Sequence, residues 1–279
     1  MPDHYAVIGN PIAHSKSPWI HAEFSRQTGQ DMCYEAMLAP LDGFHVAVTH
    51  FRQRGGKGMN VTVPFKPEAY AISHRLTERA HAAQAVNTLT FADDEIFGDN
   101  TDGVGLMRDI LFNLGFSITA KRVLLMGAGG AARGVVLPLL EHAPCILVVA
   151  NRTRRKADEL QQQFSHRGNI ASVDYADLRG EKFDLVINAT SAGLHGQLPV
   201  LPPDIFARES MAYDMVYGDD RSVFLQFAQQ HGAGLLADGI GMLVEQAAES
   251  FFQWRGVRPV TEPVIEMLRP GRRSSSVPA

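Results

Sequence analysis

The stretch that decides the fold is Arg122-Val-Leu-Leu-Met-Gly-Ala-Gly-Gly-Ala-Ala-Arg133, in which a short apolar run leads directly into a glycine-rich turn. A helical pattern follows, with apolar side chains at Val135, Val136, Leu139 and Leu140. Gly127 permits the tight bend, Gly129 leaves room for a pyrophosphate, and the small Ala132 lets the helix pack closely. Strand, turn and helix in this order predict a dinucleotide-binding unit whose helix N-terminus faces the phosphates. The alternative interpretation is a glycine-rich turn that binds nothing.

The chain after the next predicted strand, 146–149, is strongly basic. Ala150 is followed by Asn151-Arg152-Thr153-Arg154-Arg155-Lys156. An NAD-binding domain usually presents Asp or Glu here to the ribose 2′-hydroxyl, and this run holds no carboxylate. Cations and neutral hydrogen-bonding side chains suit a 2′-phosphate instead. The run therefore favours NADP over NAD, unless it is simply the solvated basic start of a helix.

The composition is that of an ordinary folded protein. Of 279 residues, 45% are hydrophobic and 20% are charged, which excludes the disordered and fibrous classes. A formal charge of −4 is too balanced for the basic surface that nucleic-acid binding needs. No apolar run approaches the roughly 18 residues of a membrane helix, and the start does not resemble a signal peptide. We therefore expect a cytoplasmic protein with no nucleic-acid or membrane partner.

Short apolar runs alternate with helical stretches along most of the chain, which predicts an α/β protein with parallel sheets covered by helices. In the first third we expect strands at 5–9 and 32–38, with a helix from Pro18 between them and Ser17 as its N-cap. Residues 85–99 predict two short strands. A helix over 101–114 then leads out of the first domain. Cys33 and Cys145 lie in apolar, strand-like segments, and we expect reduced core thiols without a disulfide.

The second unit contains further predicted strands at 184–188, 211–215 and 234–237, enough for a doubly wound, Rossmann-type sheet. A long helix over 242–254 and a shorter one over 261–268 follow it and return the chain to the first domain. This organisation predicts a substrate-binding domain from 1–102 and 239–270, and a nucleotide-binding domain from 103–238. The Arg-, Ser- and Pro-rich tail, 271–279, is expected to be disordered.

Three polar segments of the predicted first domain have the residue types of a substrate site. The hydroxyls of Ser15 and Ser17 flank one lysine and could both donate to a single carboxylate, although a plain helix cap would use the same residues. Lys66 ends the segment Asn-Val-Thr-Val-Pro-Phe-Lys. Asp102 stands at the start of the interdomain helix, where an acid also suits the helix dipole.

Taken together, these motifs closely resemble the shikimate dehydrogenase family of NADP-dependent enzymes. The resemblance runs from Tyr5 to Leu268, nearly the whole chain. It rests on the serine motif, Ser15-Lys-Ser17, on the segment Gly98-Asp-Asn-Thr-Asp102, on the glycine turn and the basic run, and on five further segments. These are 60–66, 87–88, 188–190, 214–217 (Asp-Met-Val-Tyr) and 238–246 (Asp-Gly-Ile-Gly-Met-Leu-Val-Glu-Gln).

The resemblance implies NADPH-dependent, reversible reduction of 3-dehydroshikimate to shikimate in aromatic amino-acid biosynthesis. Lys66 and Asp102 would form the catalytic pair, with the ammonium giving a proton to the oxygen that becomes a hydroxyl. Substrate binding would involve Ser15 and Ser17 at the carboxylate, Thr62, Asn87, Asp102 and Gln246 at the hydroxyls, and Tyr217 close to both ligands. Cofactor binding would involve Gly127, Ala128, Gly129, Gly130, Ala131, Asn151, Arg152, Thr153, Lys156, Met215 and Gly239.

One position departs from the family pattern, because Lys156 stands where many relatives have Arg. A lysine is a point charge and lacks the bidentate fork of arginine. The departure therefore affects only the contribution of Lys156 to phosphate binding.

Two other functions compete with this one. The first is an enzyme of the same fold that also uses quinate and NAD; the absence of an acid after Ala150 weighs against NAD. The second is an NADP-binding sensor without turnover, against which the presence of both Lys66 and Asp102 argues.

We expect no metal site, since the histidines form no ligand cluster; His74 and His81 could share a helix face. The partners expected are the small-molecule substrate and, at most, a second copy, so the chain would be a monomer or a homodimer.

Overall fold

Two six-stranded sheets, one in each half of the chain, form the framework of the computed structural model. The structure describes residues 2–92, 94–190, 192, 197–218 and 220–269. The strands are β1 (Asp3–Gly9), β2 (Met32–Leu38), β3 (Gly56–Val61), β4 (Arg75–Leu76), β5 (Thr88–Ala92), β6 (Glu95–Asp99), β7 (Arg122–Met126), β8 (Ile146–Ala150), β9 (Ile170–Val173), β10 (Phe183–Asn188), β11 (Phe206–Asp214) and β12 (Leu235–Ala237).

Helices cover the sheets and connect them. They are α1 (Ser17–Thr28), α2 (Phe44–Gln53), α3 (Lys66–Ile72), α4 (Glu78–Ala83), α5 (Asp102–Arg108), α6 (Gly130–Glu141), α7 (Arg154–Phe164), α8 (Val223–Gln230), α9 (Ile240–Arg255) and α10 (Glu262–Leu268). None of the helices in the described ranges is both long and apolar enough to cross a bilayer.

The second sheet is parallel throughout, in the order β12-β11-β10-β7-β8-β9. This is the doubly wound order of a Rossmann domain, in which the chain reverses direction beside its first strand, β7. Met126 pairs with Ala150 on one side and with Asn188 on the other. The carboxyl ends of β7, β8 and β10 therefore meet at one edge, which confirms the predicted fold class.

The first sheet is mixed, in the order β2-β1-β3-β5-β6-β4. Strands β1, β2 and β3 run parallel, and β5 is antiparallel to both β3 and β6. Asn60 pairs with Thr88, and Thr88 pairs with Asp99. The end of β3, the start of β5 and the end of β6 consequently lie side by side, so the loops that follow or precede them share one edge of the sheet.

Helix α5 links the two sheets through very close packing at two glycines. A Cβ on Gly103 would lie 2.4 Å from Pro138 of α6, and one on Gly105 would lie 2.7 Å from the backbone nitrogen of Gln246 in α9. The helix continues as a π-helical turn over Asp109–Asn113. On the far side, α9 and α10 pack against α1 around Ile20 and Phe24.

Several local predictions need correction. The predicted helix over 101–114 changes from α to π winding at Asp109. The N-cap of α1 is Lys16 and not Ser17, which is the first residue of the helix. Cys145 is exposed and precedes β8, and Cys33 is only half-buried; both are free thiols, but neither is a core residue.

Two further outcomes concern a histidine pair and the tail. His74 lies between α3 and β4, where its ring accepts a hydrogen bond from the Ile96 amide, while His81 is in α4, so the two do not share a helix face. The predicted disordered tail, 271–279, lies outside the described residues.

Candidate active site

A cleft of about 1300 Å³ lies between the facing edges of the two sheets. Its walls come from the loops after β1 and β3, the start of α5, the glycine turn after β7, the basic run after β8 and the start of α9. Every residue predicted to bind substrate or cofactor lines this one cleft: Ser15, Ser17, Thr62, Lys66, Asn87, Asp102, Gly127, Ala128, Gly129, Gly130, Ala131, Asn151, Arg152, Thr153, Lys156, Met215, Tyr217, Gly239 and Gln246.

Lys66 and Asp102 form an ion pair at the floor of the cleft. The Nζ of Lys66 lies 2.5 Å from Oδ2 of Asp102, and the two side chains are 19% and 9% exposed. Each residue begins a helix, Lys66 in α3 and Asp102 in α5, and both helices start from the shared edge of the first sheet. The ammonium is thus fixed by a nearly buried carboxylate, yet part of it faces the cleft.

Asn87 holds the other oxygen of Asp102. Its amide nitrogen lies 2.8 Å from Oδ1 of Asp102 and 3.3 Å from Oε1 of Gln246, and its amide oxygen accepts from the Thr101 backbone at 2.8 Å. Asn87 is 3% exposed. Because both ends of this amide are engaged, the carboxylate of Asp102 has a fixed orientation toward the lysine.

The serine motif forms another wall of the cleft. Ser15 is half-buried and Ser17 is 7% exposed. The Ser15 hydroxyl accepts a hydrogen bond of 3.3 Å from the Ser17 backbone nitrogen, which leaves its own proton available to a ligand. Thr62, after β3, lines the same cleft. Ser15 therefore accepts from the first backbone N–H of α1, as a capping side chain does, but both serines also line the cleft, so the motif is not simply a helix cap.

The glycine turn leaves the N-terminus of α6 open to the cleft. Gly127 has φ of +107°, a conformation that L side chains rarely adopt, and its Cβ would meet the Ala189 carbonyl at 3.0 Å. A Cβ on Gly129 or Gly130 would meet nothing within 4 Å. Among the described residues no side chain caps α6, so its first N–H groups are free to bind an anionic group such as a pyrophosphate.

The cations of the basic run fall into two groups, those that form ion pairs with acidic side chains and those that face the cleft. Arg154 forms an ion pair with Asp158 at 2.8 Å, and Arg155 lies 3.7 Å from Glu159. In the part of the chain that the structure describes, Arg152 and Lys156 have no acidic partner, and both line the cleft. These two cleft-facing cations are therefore the ones placed to meet a phosphate.

Tyr175 extends the basic end of the cleft and was not predicted. It follows β9, the strand beside β8, and packs partly against the core of the second domain. Burial raises the pKa of Tyr175 to about 12, and the charge of Arg152 acts in the opposite direction. Its phenol is therefore neutral at physiological pH and lies near the Arg152 guanidinium.

A buried carboxylate positions the segment that carries Met215 and Tyr217. The oxygens of Asp214 accept from Asn188 at 3.1 Å, from the Val216 backbone at 3.1 Å and from Ser222 at 2.5 Å. Burial raises the pKa of Asp214. Gly239 packs on this segment so closely that a Cβ there would lie 2.3 Å from the Met215 carbonyl, so only glycine fits.

Asn60 is a second lining residue that the sequence prediction did not assign a role. It is 6% exposed and is the next-to-last residue of β3, in register with Thr88. The signal was present, since Asn60 begins the segment that ends at Lys66. Tyr175 had no comparable signal, because only the sheet order brings the residue after β9 next to the basic run.

Three family profiles match successive parts of the chain. The shikimate dehydrogenase substrate-binding domain matches residues 7–89. The profile of shikimate/quinate 5-dehydrogenase matches residues 111–196, and that of the shikimate 5′-dehydrogenase C-terminal domain matches residues 239–269. All of the predicted site residues except Asp102, Met215 and Tyr217 lie within these matches.

Individual relatives agree with the profiles. A shikimate dehydrogenase (NADP(+)) from Nitrosospira multiformis is 69% identical over 269 residues, which cover 96% of this chain and 98% of the relative. The crystal structure of an Ael1 enzyme from Pseudomonas putida has a TM-score of 0.92 at 48% identity, covering 96% of this chain and 99% of that one. A shikimate 5-dehydrogenase from Thermus thermophilus, solved in complex with NADP(H) and shikimate, has a TM-score of 0.85 at 32% identity, with 95% and 97% covered. The chain therefore belongs to the shikimate dehydrogenase family of NADP(+)-dependent enzymes, as its sequence motifs predicted.

Proposed function

We propose that this chain interconverts 3-dehydroshikimate and shikimate with NADP(H), using Lys66 and Asp102 as its acid-base pair. The observation that carries the proposal is the position of this pair. The Lys66 ammonium, held by Asp102 on a side chain that is 19% exposed, lies in the same cleft as the open N-terminus of α6 and the cations of Arg152 and Lys156. Family membership supplies the reaction, and the geometry supports the assignment of residues to its steps.

In the reducing direction, the Lys66 ammonium donates a proton to the ketone oxygen as that oxygen gains negative charge. Asp102 keeps the lysine in place through its 2.5 Å contact. The same carboxylate has a second oxygen held by Asn87. In the oxidising direction the neutral amine of Lys66 removes the hydroxyl proton, so one residue performs both roles.

The remaining polar groups bind and orient the substrate. Ser15 and Ser17 donate to its carboxylate, a charge-assisted contact that fixes one end of the ring. Thr62, Asn87 and Gln246 bind its hydroxyls at the other end. Because both ends of the substrate ring are bound, the reacting carbon has one orientation in the cleft. A substrate positioned in this way has a smaller entropic contribution to the activation barrier.

The second domain has the features that NADP(H) needs. The open N-terminus of α6 suits the pyrophosphate, and Arg152 and Lys156 suit the 2′-phosphate. The chemistry that NADP(H) supplies when bound is transfer of a hydride to or from the substrate carbon. Met215, Tyr217 and Gly239 line the same cleft.

We also propose a division into a substrate domain, 1–102 with 239–270, and a nucleotide domain, 103–238. Support comes from the two separate sheets and from the packing of α9 and α10 on α1. Closure of the domains would exclude water from the reacting groups. Action in the cytoplasm, as a monomer or homodimer, is a further proposal; the free thiols of Cys33 and Cys145 suit a reducing compartment.

The direct test is the loss of NADPH absorbance on addition of 3-dehydroshikimate to the purified protein. Turnover is expected with NADPH. Parallel assays of quinate oxidation with NADP+ and of 3-dehydroshikimate reduction with NADH measure how far the substrate and cofactor ranges extend. Lys66→Ala should lower kcat by about 100-fold to 10,000-fold, the usual contribution of a general acid, with the Kd for NADPH nearly unchanged. Wild-type protein without turnover would refute the function, and normal kcat in Lys66→Ala would remove this residue from the mechanism.

A further inference from the structure

A buried polar cluster joins the second sheet to helix α9. Its centre is Asp109, which is fully buried and begins the π-helical turn that continues α5. Oδ2 of Asp109 accepts a hydrogen bond of 2.7 Å from the hydroxyl of Tyr213, a fully buried residue of β11. Both residues lie outside the motifs that carry the family resemblance, and the proposed chemistry uses neither of them.

The cluster extends from Asp109 to α9 through one amide. The Nδ2 of Asn113 lies 3.0 Å from Oδ1 of Asp109 and 3.1 Å from Oε1 of Glu245, and the two hydrogens of one amide nitrogen can satisfy both acceptors. Glu245 is buried in α9 and also accepts from Nε of Arg108 at 2.8 Å. A continuous chain of hydrogen bonds therefore runs from Tyr213, in the proposed nucleotide domain, to Glu245, in the proposed substrate domain.

Direct packing also holds the carboxylate of Asp109 against the first turn of α9. A Cβ on Gly241 would lie 1.9 Å from Oδ1 of Asp109, so only glycine allows this approach. Burial raises the pKa of Asp109, and the hydrogen bonds from Tyr213 and Asn113 act in the opposite direction. The side chain is therefore in contact with three elements at once: β11, the π-helical turn and α9.

Two of the elements around Asp109 lead directly to residues of the cleft. Strand β11 ends one residue after Tyr213, and the next residue, Met215, lines the cleft. Helix α9 carries Gln246, which follows Glu245 in the chain and also lines the cleft. A displacement of β11 relative to α9 would therefore change the shape of the cleft.

Helix α5 connects the cluster to the proposed catalytic pair. Its first residue is Asp102, which forms the ion pair with Lys66. Asp109 follows seven positions later, about 10 Å further along the helix at 1.5 Å per residue. Because this short helix and the π-helical turn are continuous, a displacement of Asp109 is transmitted to Asp102.

We infer that Asp109 is a positioning residue for hydride transfer, which holds the two halves of the cleft in register through Tyr213 and Asn113. The two carbon atoms that exchange the hydride must lie about 3–3.5 Å apart, and a misplacement of 1 Å can reduce the rate by about 100-fold. Substrate and cofactor are bound mainly by different domains, so their separation depends on the contacts that join those domains. This inference rests on the proposed function, which assigns the two ligands to the two domains.

The test begins with Tyr213→Phe, which keeps the ring and removes the hydroxyl that contacts Asp109. We expect kcat to fall about tenfold to 100-fold. The Kd for NADPH alone and the Kd for shikimate alone should change by less than about twofold, because each ligand keeps the contacts of its own domain. An unchanged kcat would overturn the inference, as would a loss of affinity for either ligand as large as the loss of kcat.

The isotope effect identifies the step that has slowed. With NADPH deuterated at the transferred position, the primary isotope effect on kcat in Tyr213→Phe should be at least as large as in the wild type, because a slower hydride transfer limits turnover more strongly. A smaller isotope effect would place the loss at another step and would overturn the inference.

Crystal structures provide a measurement that does not depend on turnover. The distance between the Cα atoms of Met215, after β11, and Gln246, in α9, should differ between Tyr213→Phe and the wild type by more than about 0.5 Å, the tolerance of a positioned site. The same distance in both proteins would overturn the inference.

Tyr5→Phe is the matched control. Tyr5 is a buried tyrosine of the first sheet, and its hydroxyl accepts a hydrogen bond of 3.4 Å from Nη1 of Arg255. Its removal also deletes a contact with a charged side chain, but kcat should stay within about twofold of the wild type. An equal loss of kcat in the two variants would indicate a general loss of stability and would overturn the inference.

Two substitutions of Asp109 provide a second arm, in case Tyr213→Phe folds poorly. The amide in Asp109→Asn can accept from Asn113 and donate to the Tyr213 oxygen, so kcat should stay within about threefold of the wild type. Asp109→Ala removes both contacts and should lower kcat as Tyr213→Phe does, with both Kd values preserved. Equal kcat values in Asp109→Asn and Asp109→Ala would overturn the inference, whereas wild-type protein without turnover would refute the proposed function itself.

Discussion

Replacing Arg152 by glutamine should reduce the affinity for NADPH and leave that for NADH nearly unchanged. Arg152 lines the cleft directly after β8 and, among the described residues, has no acidic partner. Its guanidinium is therefore available to a ligand and is not engaged in holding the protein together. Glutamine keeps much of the length of the side chain and removes the charge.

The expected size of the effect follows from the kind of contact that is lost. A hydrogen bond to a charged group contributes about 1.5–3 kcal/mol, and about 1.4 kcal/mol corresponds to tenfold in affinity. The Kd for NADPH should thus rise by about tenfold to 150-fold. Lys156, the other cleft-facing cation of the run, continues to attract the phosphate as a point charge, so we expect a value in the lower half of this range.

Arg155 is the matched control. It belongs to the same basic run, but its side chain is 83% exposed and is paired with Glu159. Arg155→Gln removes the same formal charge from the same helix start. If general attraction to the basic run governed binding, the two variants would behave alike; if direct contact governs it, only Arg152→Gln loses affinity.

The assay is the Kd for NADPH and for NADH by fluorescence titration, together with kcat/KM for both, at one fixed ionic strength because salt screens exposed charges. The ratio of NADPH to NADH affinity should fall in Arg152→Gln and stay constant in Arg155→Gln. An unchanged ratio in Arg152→Gln would refute the assignment of this residue to the 2′-phosphate and would leave the basic run as a solvated helix start.

Three further predictions concern the other half of the cleft. Asp102→Asn keeps the shape of the side chain but loses the ion pair with Lys66, the proposed general acid, so kcat should fall by at least about 100-fold with little change in NADPH binding; equal loss of both, measured by titration and turnover, would indicate misfolding instead. Replacing Ser15 and Ser17 together by Ala should raise the KM for shikimate steeply, since each donor to a charged group contributes about 1.5–3 kcal/mol, and tight binding by this variant would exclude a carboxylate role. Because burial lowers the pKa of His21 to about 3, the unfolded chain gains a proton near pH 6.5 that the folded chain does not, and stability decreases as pH falls below that value. His21→Phe should remove about 2 kcal/mol of the loss in unfolding free energy between about pH 7 and pH 5, as followed by urea unfolding; identical losses in both proteins would contradict the burial argument.

The second domain was predictable from sequence because its signals are local. Strand β7, the glycine turn and α6 follow one another without interruption, and each needs only its own residue types to be recognised. The boundaries of β8 and β10 were predicted to within one residue for the same reason. Strand β9 was missed, since Ile170–Val173 is short and carries little apolar pattern.

Strand β3 was missed for a different physical reason. Its sequence, Gly-Lys-Gly-Met-Asn-Val, contains two glycines, which weaken a strand prediction. Packing explains both of them: a Cβ on Gly56 would lie 2.2 Å from the Phe51 ring, and one on Gly58 would lie 2.5 Å from the Trp254 ring. The two glycines that weaken the strand prediction are thus the residues that let the rings of Phe51 and Trp254 pack against β3.

The sequence by itself determined the class of fold, the family and the candidate substrate- and cofactor-binding residues of the cleft other than Asn60 and Tyr175, because these depend on residue types in short, ordered motifs. Only the tertiary structure decided which of those side chains contact one another and which face the cleft. It paired Lys66 with Asp102, separated the cleft-facing Arg152 from the paired Arg155, and brought the hydroxyl of Tyr34 to within hydrogen-bond distance of Asn60. Such choices depend on distances between segments far apart in the chain, and those distances are set by sheet register and helix packing, which no local pattern encodes.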